Sequence, residues 1–278
     1  MACPAVCTSG CAMLYYKPLD YFIRIEDAAC EFYWYATQNR TMPGILSPPR
    51  GAGKRSCLAA VCRLDVKAFY VSPLGRAQDT AAYTLSKVNR TAETLPWLAE
   101  FRGRCYDAMA GESRIPWDYR PRQWTACPEL FDPRTWQESP LLAQGDVQQI
   151  WAETTSGMDA LLAQHGYHRD GPVYRCADNR PDTLVFFCHF GIATALLSHL
   201  CGIPPVPLWQ SFCMLPSSVT TLVTQERIKG EVDFRCIQLG DLSHLYAGKE
   251  PYSTAGMYPE CYTGRDSTNP PEWDEAIP

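Results

Sequence analysis

Two short stretches of this 278-residue chain put chemistry-bearing side chains where an apolar run gives way to a helical pattern. The first is Ser72-Pro73-Leu74-Gly75-Arg76, after VKAFYV (66–71) and at the head of RAQDTAAYTLSKV (76–88). The second is His189-Phe190-Gly191, after TLVFFC (183–188) and at the head of GIATALLSHLCG (191–202). A helix that begins at such a point offers N–H groups without intrahelical partners and the positive end of its dipole, which together suit a phosphate. Arg76 adds a forked, permanently charged donor matched to phosphate oxygens. His189 adds another donor, or a group for proton or phosphoryl transfer. Taken singly, each has a plainer reading. Ser-Pro before a helix is a common N-cap arrangement with the arginine facing solvent, and a histidine after an apolar strand is usually a hydrogen-bonded structural residue. Their shared kind of position is what points to one anion site.

The elements that must position these residues are strands alternating with helices, which argues an α/β sheet covered on both faces. In such sheets ligands sit outside the carboxyl ends of the strands. The helix at 76–88 carries Ala77, Ala81 and Leu85 on one face, and VQQIWAETTSGMDALLAQHG (147–166) reads as a helix stopped by Gly166. Gly202 and Pro204 end the helix that starts at 191. SSVTTLVTQE and EVDFRCIQLG read as two antiparallel strands joined by a Lys-Gly turn. Residues 104 to about 146 are an irregular excursion rich in Trp, Pro and Arg. Its Arg114, Arg120 and Arg122, interleaved with Trp117, Tyr119 and Trp124, fit a lid over the pocket or a surface loop packing its own aromatics. Thr183–Ile203 is apolar enough to suggest a membrane span, but two histidines and a Gly at a strand-to-helix break favour a soluble strand–loop–helix unit.

Composition narrows the rest. The chain is 46% hydrophobic and 20% charged, which excludes a disordered or collagen-like chain. A net charge of -5 gives a nucleic-acid role no electrostatic support. There are fourteen cysteines, and MACPAVCTSGCAM at the start lacks the basic and apolar regions of a secretory signal. The expectation is reduced thiols in the cytoplasm. Cys3, Cys7 and Cys11 have a C-x3-C-x3-C spacing that raises zinc or an iron–sulfur cluster; with no histidine before His165, the fourth ligand would have to be another cysteine or a carboxylate, or the site would be open.

SPLGRAQDTA (72–81) resembles the second motif of the histidine phosphatase superfamily, the phosphoglycerate-mutase-like fold. FCHFGIATALLSHLCGIPP (187–205) resembles its third motif, and SSVTTLV with the strand ending LGDLSHL (239–245) resembles the C-terminal strands of its broad-phosphatase and alpha-ribazole-phosphatase-like branches. The resemblance spans about 64 to 250. It implies a three-layer α/β sandwich with a mostly parallel central sheet, phosphomonoester hydrolysis through a phosphohistidine, and a small phosphorylated substrate. It implies no metal, cofactor, nucleic acid or membrane. Carried over residue by residue, Arg76 matches the second arginine and His189 the second histidine, both holding developing negative charge. Ser72 stands with them in the phosphate site. Glu100, in LPWLAEFRG (95–103), resembles the acid that protonates the leaving oxygen; the plainer reading is a solvated loop carboxylate. Phosphosugar, phosphonucleoside and phosphoprotein substrates all fit.

The family's first motif, the N-terminal R-H-G that supplies the nucleophile, is missing. The in-frame echo is YFIRIED (21–27), with Arg24 where the arginine falls and Ile25 where the histidine belongs. On that alignment the chain is a non-catalytic relative that captures a phosphorylated ligand. A second explanation lies in the codons. Read one base out of register, Glu31–Pro43 can spell I-L-L-V-R-H-x-E-P-D-Y-A, and Pro43–Cys62 can continue R-D-S-x-T-P and then Q-A-E-L-L-G-R-R-L. The position after the H cannot be the family's usual Gly. This divides the chain into 1–62, an aberrant out-of-frame segment, and 63–278, the phosphatase-like domain. Loss of the first strand is then expected to leave its neighbours' edges unpaired, with EFYWYA (31–36) as an accidental replacement.

Overall fold

The computed structural model describes the backbone of residues 22–27, and residues 66–108, 111–178, 182–253 and 257. In chain order the strands are β1 (Phe22–Asp27), β2 (Val66–Val71), β3 (Glu93–Thr94), β4 (Cys105–Asp107), β5 (Glu112–Arg114), β6 (Tyr167–Asp170), β7 (Val173–Cys176), β8 (Thr183–Cys188), β9 (Val219–Ile228) and β10 (Glu231–Asp241). The helices are α1 (Gly75–Val88), α2 (Pro121–Thr125), α3 (Val147–Gln164), α4 (Phe190–Cys201), α5 (Pro205–Ser211) and α6 (Ser243–Ala247), with short 3-10 turns between β3 and α3.

The main sheet runs β3-β2-β8-β1-β9-β10-β7-β6. β3, β2, β8 and β1 are mutually parallel, and the rest of the sheet is antiparallel. All six residues of β8 are buried, as an interior parallel strand covered on both faces requires. Alternation sends its side chains to two separate cores. Leu184 and Phe186, with Tyr70 of β2, pack against α3 and α4 through Met158, Leu162 and Leu196. Val185 and Phe187, with Phe69 and Val71, pack against Ala77 and Ala81 of α1. Helices therefore cover both faces, and the α/β sandwich expected from the sequence is the architecture found.

β1 occupies the slot between β8 and β9. It runs parallel to β8, with Arg24 opposite Val185 and Ile25 opposite Phe186, and antiparallel to β9, with Arg24 opposite Thr221. The expectation of unpaired edges at this position is thus corrected: both neighbours are paired. The backbone offers the reason. Two facing ladders of N–H and C=O groups accept any extended segment of the right length, whatever its side chains. EFYWYA (31–36), Cys3, Cys7 and Cys11 lie outside the described residues.

The excursion packs partly on itself and partly into the main core. β4 and β5 form a hairpin, and Arg114 at its end is buried among Glu112 (2.8 Å), Asp107 (3.4 Å) and Asp118 (3.9 Å). Tyr119 and Trp136 are buried, and Trp124 stacks on Phe131. Trp136 also meets Trp151 of α3 edge to face at 4.8 Å, and Trp117 turns toward Gly191 at the rim of the main sheet. Among the described residues no helix is long and apolar enough to cross a membrane; the run from Thr183 is strand β8 followed by α4.

Candidate active site

β2 and β8 are adjacent and parallel, with Val71 opposite Phe187. The ladder continues one step further, since Ser72 N–H donates to the Phe187 carbonyl at 2.9 Å. The two strands therefore release Ser72 and His189 side by side, and α1 and α4 both begin at this rim. Adjacency of the two strands is what converts two distant stretches of sequence into one site.

Arg76 Nε–H donates to His189 Nδ1 at 2.9 Å. An Nδ1 that accepts carries no proton, so the neutral ring holds its hydrogen on Nε2. That N–H points at Ser72 Oγ, 2.7 Å away. Ser72 Oγ also accepts from the Leu74 N–H at 3.2 Å. Both lone pairs of the hydroxyl are then engaged, and its own hydrogen is left to donate. Ser72 and His189 are fully buried. Burial first, and the Arg76 charge second, push the His189 imidazole down to about 3. Among the described residues Arg76 makes no ion pair; a cation facing a neutral imidazole is an arrangement that an anion completes.

Glu100 follows the 3-10 turn Pro96–Leu98. Its Oε1 accepts from the Phe101 N–H at 2.8 Å and from the Ile192 N–H at 3.1 Å, in the first turn of α4. Its Oε2 is buried and has no hydrogen-bond partner among the described residues. Burial raises the carboxyl to about 7, against the opposing pull of the Phe101 N–H, the Arg76 charge and the N–H groups of Ile192 and Gly191. Near neutral pH a proton is thus available on this carboxyl, with no acceptor for it among the described residues. Gly191 is the residue that lets this happen. A Cβ there would lie 2.3 Å from Trp117 Cη2 and 2.8 Å from Glu100 Oε1, so the indole edge and the carboxylate both rest on bare backbone.

The two titrations act on stability with opposite signs. His189 holds a proton less readily when folded, so its contribution is present above its ordinary 6.5 and lost as the pH falls toward 3. Glu100 holds a proton more readily when folded, so its contribution is full below its ordinary 4.5 and lost as the pH rises through 7. Glu100→Gln is expected to gain melting temperature relative to the parent between about pH 5 and about pH 8, and His189→Asn to gain between about pH 7 and about pH 4. Thermal melts across pH check both; parallel curves for parent and variant would contradict the assignment.

The structure brings together Arg76, His189, Ser72 and, through α4, Glu100. The chain has five histidines, and the other four stand elsewhere. His165 bonds Tyr70 Oη at 2.7 Å, His199 pairs with Asp159 at 2.8 Å, His168 is on the outer strand β6, and His244 is in α6. Two neighbours escape sequence reasoning. Gln78 donates to the Ser72 carbonyl (2.7 Å) from α1, two residues beyond Arg76, and carries no signature that would mark it. Trp117 is one aromatic among several in its stretch, and its contact with Gly191 is purely tertiary. Among the described residues no cluster of three His, Cys, Asp or Glu side chains is placed to hold a metal ion.

Comparison with known proteins matches residues 50–169 to the family model for the histidine phosphatase superfamily (branch 1). No curated protein matches. Among solved structures, the chain is similar to a mutant phosphoserine phosphatase from Entamoeba histolytica in complex with phosphoserine. Identity is 14% and the TM-score 0.51, over 81% of this chain and 99% of that one. It is also similar to a mycobacterial glucosyl-3-phosphoglycerate phosphatase, at 15% identity and a TM-score of 0.51 over 79% and 98% of the two chains. A third relative is mycobacterial hydrolase 1, at 16% identity and a TM-score of 0.52 over 79% and 98%. At these identities the likeness is one of fold.

Proposed function

We propose that this chain, a member of the histidine phosphatase superfamily by its match over residues 50–169, holds a phosphomonoester site of the phosphohistidine type that is catalytically impaired because the nucleophile is absent. The observation that carries this reading is the Arg76–His189–Ser72 cradle, with the Glu100 carboxyl at the head of the same helix. On this reading Arg76 receives the phosphoryl dianion, Ser72 donates its remaining hydrogen to it, and His189, released from Arg76 beside the dianion, takes up a proton from solvent at Nδ1 and donates it to the phosphoryl group. Glu100 presents its proton to the ester oxygen, the role for which a carboxyl near 7 is suited. Transfer needs a nucleophile in line with that oxygen, and no histidine precedes His165 to serve.

The segment 1–62 is read as translated out of frame. Three of the six residues of FIRIED are charged, whereas interior parallel strands are near-continuous apolar runs, and the alternative text I-L-L-V suits that slot far better. The family match begins at residue 50, inside that segment, and counts against the part of this reading that covers 50–62. A second reading keeps the chain as it stands: a phospho-ligand-binding relative without turnover. Cys105, Cys127, Cys176, Cys201 and Cys236 are thiols outside any disulfide, which supports a cytoplasmic setting for either.

The test pairs calorimetric titration with inorganic phosphate and an assay with p-nitrophenyl phosphate. Binding without turnover is the expected result for the chain as written. Turnover that His189→Ala abolishes would overturn the impairment, and absence of phosphate binding would overturn the site itself.

A further inference from the structure

We propose that the leaving-group side of this site is built to hold an aromatic ring, because Trp117 and Phe190 form an aromatic wall beside the carboxyl that must reach the ester oxygen. The favoured ligand is then the phosphomonoester of an aromatic alcohol. This rests on the phosphate-site reading above and deepens it.

The wall is defined by contacts on both sides of Gly191. The Cη2–Cζ3 edge of Trp117 and Oε1 of Glu100 crowd the same point over that glycine, so indole and carboxyl sit side by side. Phe190, the residue after His189, meets Trp117 edge to face at 5.8 Å and 86°. Both rings are half-buried, and each keeps surface to offer. Behind them the wall is braced. Trp209 lies 5.7 Å and Phe101 6.5 Å from Trp117, and Trp209 Nε1–H is fixed to the Gly191 carbonyl at 3.0 Å. A braced wall loses little freedom on binding.

The position follows from the chemistry of the acid. Glu100 protonates the oxygen between phosphorus and the leaving group, so the first atoms of that group lie next to the carboxyl and next to the indole. The cleft that shares Glu100 has an apolar side of Pro96, Trp97, Ala99, Ile150 and Ile192, and a polar side of Thr154, Arg102 and Glu153. The arginine in its lining, Arg102, is already neutralised by Glu153 at 3.1 Å. A leaving group carrying a second anion thus finds the one arginine of that lining already paired with a carboxylate, whereas a ring meets edge and face partners in Trp117 and Phe190.

Two phosphonates that have no ester bond to break isolate the ring: methylphosphonate and phenylphosphonate, titrated calorimetrically into the full chain. Phenylphosphonate is expected to bind about fivefold or more tightly than methylphosphonate, the advantage an aromatic contact gives. Trp117→Ala and, separately, Phe190→Ala should each cut that ratio to within about twofold. Using the ratio removes any general loss of site occupancy from the comparison, and the second variant covers the case in which the first does not fold. Equal binding of the two phosphonates by the parent overturns the aromatic wall and leaves the phosphate site standing. A phenyl advantage that both variants keep overturns it as well. Failure of both phosphonates to bind counts against the phosphate site itself, and with it this inference.

Discussion

Replacing Arg76 with methionine is expected to weaken inorganic phosphate binding by about a hundredfold, the usual loss when a charge-assisted partner of a buried anion is removed. Methionine keeps much of the aliphatic stem, so α1 should persist and the loss should be electrostatic. A second readout separates this from structural damage. Arg76 helps hold the His189 imidazole down, and its Nε–H occupies Nδ1 at 2.9 Å. In the variant the His189 ring should titrate at a higher pH, visible by NMR as a shift of its ring signals. Lysine at 76 should recover the charge but not the fork, giving affinity between parent and methionine variant. An unchanged phosphate affinity with a folded Arg76→Met chain would remove the anion site from consideration.

Supplying the missing histidine should have the largest effect of all. A chain whose first 62 residues are exchanged for the alternative-frame text, with I-L-L-V-R-H ahead of Ser72, is expected to hydrolyse p-nitrophenyl phosphate at least about a thousandfold faster than the present chain. The restored activity should vanish with His189→Ala and rise and fall with the protonation of Glu100, which burial raises to about 7. A folded, phosphate-binding restored chain that turns nothing over would refute the frame-shift reading. Resequencing the gene across this window decides the same point by another route, since an uninterrupted frame without the alternative text excludes it.

The parts of the molecule legible in sequence are those where local pattern and tertiary role coincide. TLVFFC reads as a strand because a parallel strand covered on both faces has no polar side to show, and β8 is buried throughout. Lys229-Gly230 reads as a turn because Gly230 takes φ +79. Arg76 and His189 are legible because each opens a helix directly after its strand. Asp170-Gly171 carries the signal for the β6–β7 hairpin, with Gly171 at φ +60, but it follows so closely on the end of a long helical pattern that the two short strands around it do not stand out. The turns of 104–146 and the short α5 behind Pro204 have no periodicity to read; Arg114 and the buried aromatics hold the former by contacts that sequence spacing does not encode. Glu100 is legible through family resemblance alone. What makes it a proton donor is burial, against a helix head of α4 that lies 92 residues away in sequence and is brought near only by the sheet.

The position of β1 has a consequence for how the molecule comes into being. Its partners are Thr183–Cys188 on one side and the strand beginning at Val219 on the other, so β1 must wait until residue 223 has been made before it can dock fully between them. Such long sequence separations slow folding and keep an emerging polypeptide open while the ribosome is still at work. During synthesis β8, wholly apolar in its middle, is a sticky template from the moment it leaves the exit tunnel until the N-terminal segment reaches it, and chaperone demand should rise or fall with the sequence of that first strand.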